Sequence, residues 1–155
     1  MEQLTSQIGN AVKTADQVLA SSINNWLVVQ SHYPSNEQAL FLASQALEIA
    51  HIYSCMTRGV SGICMYVIEG NQEGASTSLY EVFQEIDNLH TKTPNERSQT
   101  SYEVIFGAMS AVKEDDFVEA RKYLGTMAHI ADMTRLSVLD HMEALEPFLD
   151  QSSVH

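Results

Sequence analysis

The clearest spacing for chemistry in the sequence is the step from Glu48 to His51. On a helix this spacing places a carboxylate and an imidazole on one face, and ferritin-like di-iron bundles use two such steps with two further glutamates to hold their metals. The sequence contains no second Glu-x-x-His step. We therefore predict that the protein binds no metal and needs no cofactor. A metal-dependent four-helix-bundle enzyme that uses Glu48 and His51 is the alternative.

Other residues of catalytic types lack the partner residues in sequence that their chemistry requires. The Gly-Val-Ser-Gly stretch at 59–62 has neither the spacing nor the lysine of a phosphate-binding loop. Cys55 and Cys64 lie in apolar sequence, where a cysteine is more often a buried thiol than a nucleophile. The sequence therefore predicts no catalytic residues and a protein that is not an enzyme.

Length and composition bound the architecture. The chain has 155 residues, of which 45% are hydrophobic, with only seven Gly and three Pro. This is enough for one core and too little for two ordinary domains, and so few helix breakers favour helices over a many-stranded sheet. We predict a single helical-bundle domain over residues 1–150, followed by a frayed C-terminal tail at 151–155.

The acidic balance of the chain bears on its partner. Twenty Asp and Glu against eight Lys and Arg give a formal charge of −12, which predicts no direct nucleic-acid binding and no membrane binding. The same charge would attract a basic protein. An acidic decoy that blocks a nucleic-acid-binding protein is a further alternative, and so is a charge that only keeps the domain in solution. Four of the acids recur along one side of the last helical segment, as a solvated face or a docking strip: Asp140, Glu143, Glu146 and Asp150.

The sequence favours a cytoplasmic protein. Its first twenty residues contain Glu2, Lys13 and Asp16 and no uninterrupted apolar run, unlike a targeting signal. The most apolar stretch, 63–68, is far shorter than the ~20 residues that span a bilayer. Two cysteines without a disulfide framework fit a reducing compartment.

Apolar periodicity predicts two long helices in the first half of the chain. The first ends before Pro34, and Ser35 with Gln38 has the spacing of a capping box for the second. From 36 to 69 the sequence is apolar on several faces, and Gly59 predicts either one kinked helix or two helices broken near it. The stripe of the first helix consists of Leu4, Ile8, Val12, Ala15, Leu19, Ile23 and Trp26.

Turn and capping residues divide the second half of the chain. A Gly-Asn-Gln-Glu-Gly turn at 70–74 precedes a helix capped by Ser76, or by Ser78 with Glu81. The Thr-Pro-Asn-Glu segment at 93–96 combines a cap, a proline at the first helical position and a capping glutamate. This segment starts another helix.

A last helix starts at Asp115 and Asp116, with Glu119 three residues beyond the second aspartate, and Pro147 is expected to end it. In total the sequence predicts five or six helices joined by short loops. We therefore expect an all-α fold, an antiparallel helical bundle that contains helical hairpins.

Two of the predicted hairpins are alike. Ala75 aligns with Ala120 and Leu79 with Leu124, at an offset of about 45 residues, which suggests an internal repeat of helical pairs. The order of these hairpins, together with the Pro-Ser-Asn-Glu-Gln-Ala-Leu segment at 34–40, resembles the flagellin export chaperone family. The resemblance covers roughly residues 34 to 135. It implies a small helical bundle that holds a secreted subunit.

Together these features predict a non-enzymatic, acidic protein-binding module, a chaperone, adaptor or inhibitor, that holds another protein through an apolar inter-helix groove rimmed with acid. The partner would be basic or secreted. The first helix can pack within the bundle or against a second copy, so a homodimer through the first helix stays open. The predicted partner-binding residues are aromatic and thioether side chains, Tyr66, Tyr102, Phe106, Met109, Tyr123 and Met127.

Overall fold

The computed structural model describes the backbone of residues 2–153 and the side chains of residues 3–149. Over the described backbone the chain is all-α, with five helices and no strand, which confirms the predicted helical bundle. The helices are α1 (Glu2–His32), α2 (Glu37–Val67), α3 (Gln72–Lys92), α4 (Glu96–Lys113) and α5 (Phe117–Ser153).

Helix α2 is one continuous helix at the centre of the bundle and is not broken near Gly59. Each of the other four helices packs against it, whereas α1 and α3 make no contact with each other within the described residues. Packing explains the glycine. A Cβ at Gly59 would lie 2.8 Å from the sulfur of Met127 on α5 and 3.0 Å from the Cδ1 atom of Ile105 on α4. The missing side chain therefore lets α4 and α5 approach α2 closely.

The buried side chains form two clusters, which divide the bundle into two tiers along α2. We call them the four-helix tier and the three-helix tier. The core of the four-helix tier comes from α2, α3, α4 and α5, and includes Ile52, Met56, Ile63, Leu79, Ile86, Ile105 and Met127. The core of the three-helix tier comes from α1, α2 and α5, and includes Ala15, Val29, Ala43, Ile49, Ala50, Val138 and Leu145.

The buried line of α1 differs from the predicted stripe. Ala15, Ser22 and Val29 are buried at intervals of seven residues, whereas Ile23 is 41% exposed. Leu4, another member of the stripe, is exposed to the same degree. The prediction was therefore wrong for Leu4 and Ile23, because a three-and-four stripe covers a wider arc of the helix than the face that packs. The buried face includes a serine because α1 packs in the tier where α2 presents a line of small residues, Ala39, Ala43, Ala46 and Ala50.

Asparagines cap three of the helices. Asn36 caps α2, Asn71 caps α3, and Asn95 caps α4 in a capping box with Ser98. Each asparagine accepts a hydrogen bond from a backbone N–H three residues ahead, a geometry that Asn satisfies at least as well as Ser or Thr. The predicted caps were therefore wrong, and the residues concerned are Ser35, Ser76, Ser78 and Thr93.

The two predicted hairpins share their turn geometry. Gly70 before α3 has a φ of 68°, and Asp115 before α5 has a φ of 56°. In both cases the N-cap of the next helix follows at once, and the cap of α5 is Asp116, the second of the two aspartates at which the helix was predicted to start. Gly70 and Asp115 are separated by the same number of residues as Ala75 and Ala120, which the sequence aligned. Both alanines are fully buried. The left-handed residue therefore recurs at equivalent positions of the two hairpins.

Helix α5 continues past Pro147 to Ser153, so the prediction that Pro147 ends it was wrong. A proline removes one backbone donor, but side chains on either side of Pro147 are held by packing. Leu145 is fully buried, and the ring of Phe148 lies 5.6 Å from that of Tyr33 in an edge-on contact. The predicted tail begins two residues before the end of this helix, and its residues 154 and 155 lie outside the described residues.

Helix α2 is also longer and more apolar than the stretch 63–68 suggested. By length and composition alone it could cross a membrane, the one such helix among the described residues, and 61% of its most apolar window is buried inside the bundle. The other four helices pack against it and bury much of its apolar surface, although Phe41 near its start is exposed. Its hydropathy is thus accounted for by a central position in the bundle.

Candidate functional site

Helix α4 begins against the middle of α2. The side chain of Asn95 caps α4, and its amide donates a hydrogen bond to the carboxylate of Glu48 on α2. The guanidinium of Arg97 lies 3.7 Å from the same carboxylate. Glu48 is only 6% exposed. This buried carboxylate therefore holds the first turn of α4 beside Glu48 on α2. The part of α2 before Glu48 therefore extends beyond α4.

An open apolar groove, which we call the α4–α5 groove, lies beside this first turn of α4. Its volume is about 510 Å³. The side chain of Ile49 on α2 is fully buried beneath it, and Ile130 and Met133 of α5 form one wall. Met133 is 57% exposed. The remaining lining residues are Glu96, Arg97, Thr100, Ser101, Thr134 and Ser137.

Four of the six predicted partner-binding residues support the bundle. Met127 is fully buried and Tyr66 nearly so, in the core of the four-helix tier. Met109 and Tyr123 are half-buried against the same core, and the ring of Tyr123 occupies the space where Gly107 of α4 lacks a Cβ. None of these four side chains lines the α4–α5 groove. In this structure Met127 and Tyr66 are core residues and do not lie on the surface.

The other two predicted residues, Tyr102 and Phe106, lie on the side of α4 that faces α3. Their rings stack with an interplanar angle of 7° and a centroid distance of 6.4 Å. Phe83 of α3 lies 5.2 Å from Tyr102 and 6.0 Å from Phe106. Phe106 is 49% exposed, so this aromatic cluster reaches the surface, on a different side of α4 from the α4–α5 groove.

Met133 was not predicted to be a surface residue. A methionine within a helix fits a core as well as a binding surface. The position of Met133 around the axis of α5 is the feature that could have shown this. Met127, Thr134 and Val138 define the buried side of the helix, and Met133 lies on another side. A core methionine can be distinguished from a surface methionine only when the buried side of the helix is known.

The hydroxyl of Tyr66 donates a hydrogen bond to the carboxylate of Asp115, the left-handed residue before α5. This hydrogen bond is the main reason that the pKa of Tyr66 is raised to about 12, and burial adds to it. The contact ties the end of α2 to the turn between α4 and α5. It explains why Tyr66 belongs to the scaffold.

Cys55 lies in a polar cluster between α2 and α3. Arg58 forms an ion pair with Glu85 of α3, its guanidinium lies 3.7 Å from the sulfur of Cys55, and the thiol lies 3.9 Å from the same carboxylate. Burial is the main cause that raises the pKa of Cys55 to about 12. The thiol is therefore protonated at neutral pH and is a weak nucleophile.

Glu48 and His51, the predicted alternative metal site, face different neighbours. Glu48 is engaged by Asn95 and Arg97 of the α4 end. Burial is the main cause that lowers the pKa of His51. Glu85 acts in the opposite direction, whereas Arg58 and Lys92 lower the pKa further. Among the described residues, no group of three or more His, Cys, Asp and Glu side chains is placed to hold a metal ion.

No family model matches this chain, and no curated protein or solved structure is significantly similar to it. The resemblance of residues 34 to 135 to the flagellin export chaperone family therefore stays a prediction. Function has to be inferred from the surface of the molecule, and the α4–α5 groove is an apolar concave feature with a described lining.

Proposed function

We propose that the protein is a non-enzymatic helical module that holds another protein in the α4–α5 groove and acts in the cytoplasm as a chaperone, adaptor or inhibitor. One observation supports this above all others. Ile130 and Met133 leave apolar surface open to solvent in a concave site, above a fully buried Ile49. Apolar side chains in a groove between helices are the feature by which helical modules receive a partner's helix.

Covering this groove would be energetically favourable. Removing apolar surface from water contributes about 25 cal/mol per Å², and Met133 exposes more than half of its side chain. Methionine also adapts its shape to different partners at little cost. A few well-placed partner side chains would therefore supply most of the binding free energy.

The groove is preorganised by its two walls. The Asn95–Glu48 hydrogen bond and the Arg97–Glu48 contact hold the start of α4, and α5 has its most extensive packing with the central helix α2. A preformed site pays less conformational entropy on binding than one that must fold first. This rigidity supports a docking role for the groove.

A site-specific photocrosslinker tests the proposal. A benzoylphenylalanine is placed at Met133 and, as a control, at Val118, which is 66% exposed in the first turn of α5. In the native host, a discrete protein adduct should form from position 133 and not from position 118. Retention of that protein should fall with Met133→Asp and not with Val118→Asp. Equal adducts from both positions, or none from 133, would refute the proposal.

A further inference from the structure

In the three-helix tier, one side of α2 has no described helix packed against it. This side lies in line with α4, which covers α2 in the four-helix tier. Phe41 precedes Gly59 by 18 residues, about five turns of helix. It therefore lies on the side of α2 where Gly59 accommodates Ile105 of α4 and Met127 of α5. Helix α4 begins at the level of Glu48 and runs away from Phe41, toward Gly59. Phe41 is 62% exposed, so no described helix covers this side of α2 there.

Helix α5 likewise leaves the side that faces α4 uncovered beyond the start of α4. Tyr123 packs across Gly107 of α4, and Ile130 and Ser137 follow it at intervals of seven residues, about two turns each. The side of α5 that meets α4 therefore continues past the start of α4. Ile130 and Ser137 both line the α4–α5 groove. The groove is thus one end of a longer channel between α2 and α5.

The rim of this channel is acidic. Glu96 lines the groove, Glu37 stands one turn before Phe41, and Asp140 stands two turns after Met133. All three are exposed, and within the described part of the chain none of the three side chains forms an ion pair or a hydrogen bond. The nearby cation, Arg97, faces the buried carboxylate of Glu48. The channel therefore places three exposed carboxylates around the apolar side chains of Phe41, Ile130 and Met133.

We propose that an amphipathic helix of a partner protein, apolar on one side and basic on the other, lies in this channel and completes the three-helix tier as its fourth helix. This inference rests on the proposed function and names its partner element. Residues 37–47 of α2 extend beyond the Asn95–Glu48 contact, a length of about 16 Å, so the bound helix has about three turns. Its apolar side chains contact Phe41 and Met133, and its Lys or Arg side chains face the three carboxylates.

A designed peptide tests this inference directly. The probe is a fluorescent helical peptide of about three to four turns with leucine on one face and lysine elsewhere. One control peptide has the same composition in scrambled order, and a second has glutamate in place of lysine. Binding is measured by fluorescence anisotropy, and helix formation by circular dichroism. The lysine peptide should bind at least about tenfold more tightly than either control and should gain helicity on binding.

Matched protein variants locate the bound peptide. Met133→Lys and Phe41→Lys should each weaken binding at least about tenfold, whereas Val118→Lys, with the same change in charge, should not. The double variant Glu96→Lys and Asp140→Lys should shift the preference toward the glutamate peptide. A control double variant, Glu73→Lys and Glu81→Lys, changes two exposed acids of α3. It should keep the preference for lysine.

Three results would overturn the inference. They are equal binding by the Met133→Lys and Val118→Lys variants, equal binding of the lysine and glutamate peptides, and a dimer of this chain that Met133→Lys dissociates, since a second copy would then fill the channel. A partner crosslinked at position 133 whose contacting segment is not a basic helix would overturn only this inference. The proposed function would then stand.

Discussion

The side-chain amide of Asn95 donates a hydrogen bond to the buried carboxylate of Glu48. The contact joins the N-cap of α4 to the middle of the central helix. It decides where the four-helix tier ends and where the α4–α5 groove begins, because α4 cannot start earlier along α2 without losing it. One buried carboxylate thus links the scaffold to the candidate site.

Glu48→Ala should lower the free energy of unfolding by about 2 kcal/mol, because Asn95 and Arg97 lose a charged hydrogen-bonding partner at a buried position. Chemical denaturation measures the loss. Glu96→Ala is the control, since Glu96 is exposed in the same first turn and should change stability by about 0.5 kcal/mol or less. Equal effects of the two substitutions would contradict the structural role given to Glu48.

Ser22→Ala should stabilise the protein. The hydroxyl of Ser22 is buried against the three-helix tier without a hydrogen-bond partner, and removing such a group recovers about 1 kcal/mol of desolvation cost. Ser21→Ala controls for helix propensity, because Ser21 is exposed on the same helix and gains about 0.5 kcal/mol at most. Thermal and urea unfolding should show the larger gain at position 22. A smaller gain there than at position 21 would disprove the prediction.

Gly107→Ala should destabilise the protein by about 1–3 kcal/mol, because the new methyl group would overlap the ring of Tyr123 and force α4 and α5 apart. Gly125→Ala is the matched control. A Cβ at Gly125 meets nothing within 4 Å, so this substitution should raise stability by about 0.5–1 kcal/mol. Tyrosine fluorescence should change only in the first variant. Stabilisation by both substitutions would show that Tyr123 moves aside without cost.

The two thiols should differ in reactivity. Cys55 is almost fully buried, and its pKa is raised to about 12, whereas Cys64 is only half-buried, and burial raises its pKa as well. Cys64 should react with a thiol reagent at least about tenfold faster in the native protein. The single-cysteine variants Cys55→Ala and Cys64→Ala separate the rates. Denaturant should make them similar, and rapid native labelling of Cys55 would argue against the buried position.

Acid should weaken the fold through His51. Burial holds the pKa of His51 below its ordinary value of 6.5, so the unfolded chain binds the proton more readily than the folded one. The stability that depends on the neutral imidazole is present above pH 6.5 and is lost as the pH falls through the folded pKa. His51→Gln should reduce this part of the pH dependence, as measured by urea unfolding between pH 7.5 and 5. A chemical-shift titration that places the pKa of His51 above 6.5 would contradict the prediction.

Local signals in the sequence were sufficient for the helices but not for all of their ends. The start of α5 was predicted at Asp115 and Asp116, and Asp116 caps it, with a glutamate three residues later in the spacing of a capping box. At the start of α4 the predicted cap was Thr93, whereas the residue that caps the helix is Asn95, whose amide also reaches Glu48. That choice depends on a residue 47 positions away in sequence, which no local pattern contains.

The candidate site was less predictable for a similar reason. An apolar inter-helix groove was expected, but the residues named for it were Tyr66, Met127 and others that the structure buries in the four-helix tier or places in the aromatic cluster. Apolar periodicity reports which residues avoid water. It does not report which of them find a partner within the chain.

The sequence by itself determined an all-α chain, an apolar helical segment over 36–69 and the paired hairpins, because periodicity, proline and turn residues act within a few positions of each other. Only the tertiary structure decided that α3 and α4 cover one part of α2 and leave Phe41 and Met133 exposed. The physical reason is that exposure depends on where helices of unequal length start and end against one another. Contacts between residues far apart in the chain, such as Asn95 with Glu48, set those positions.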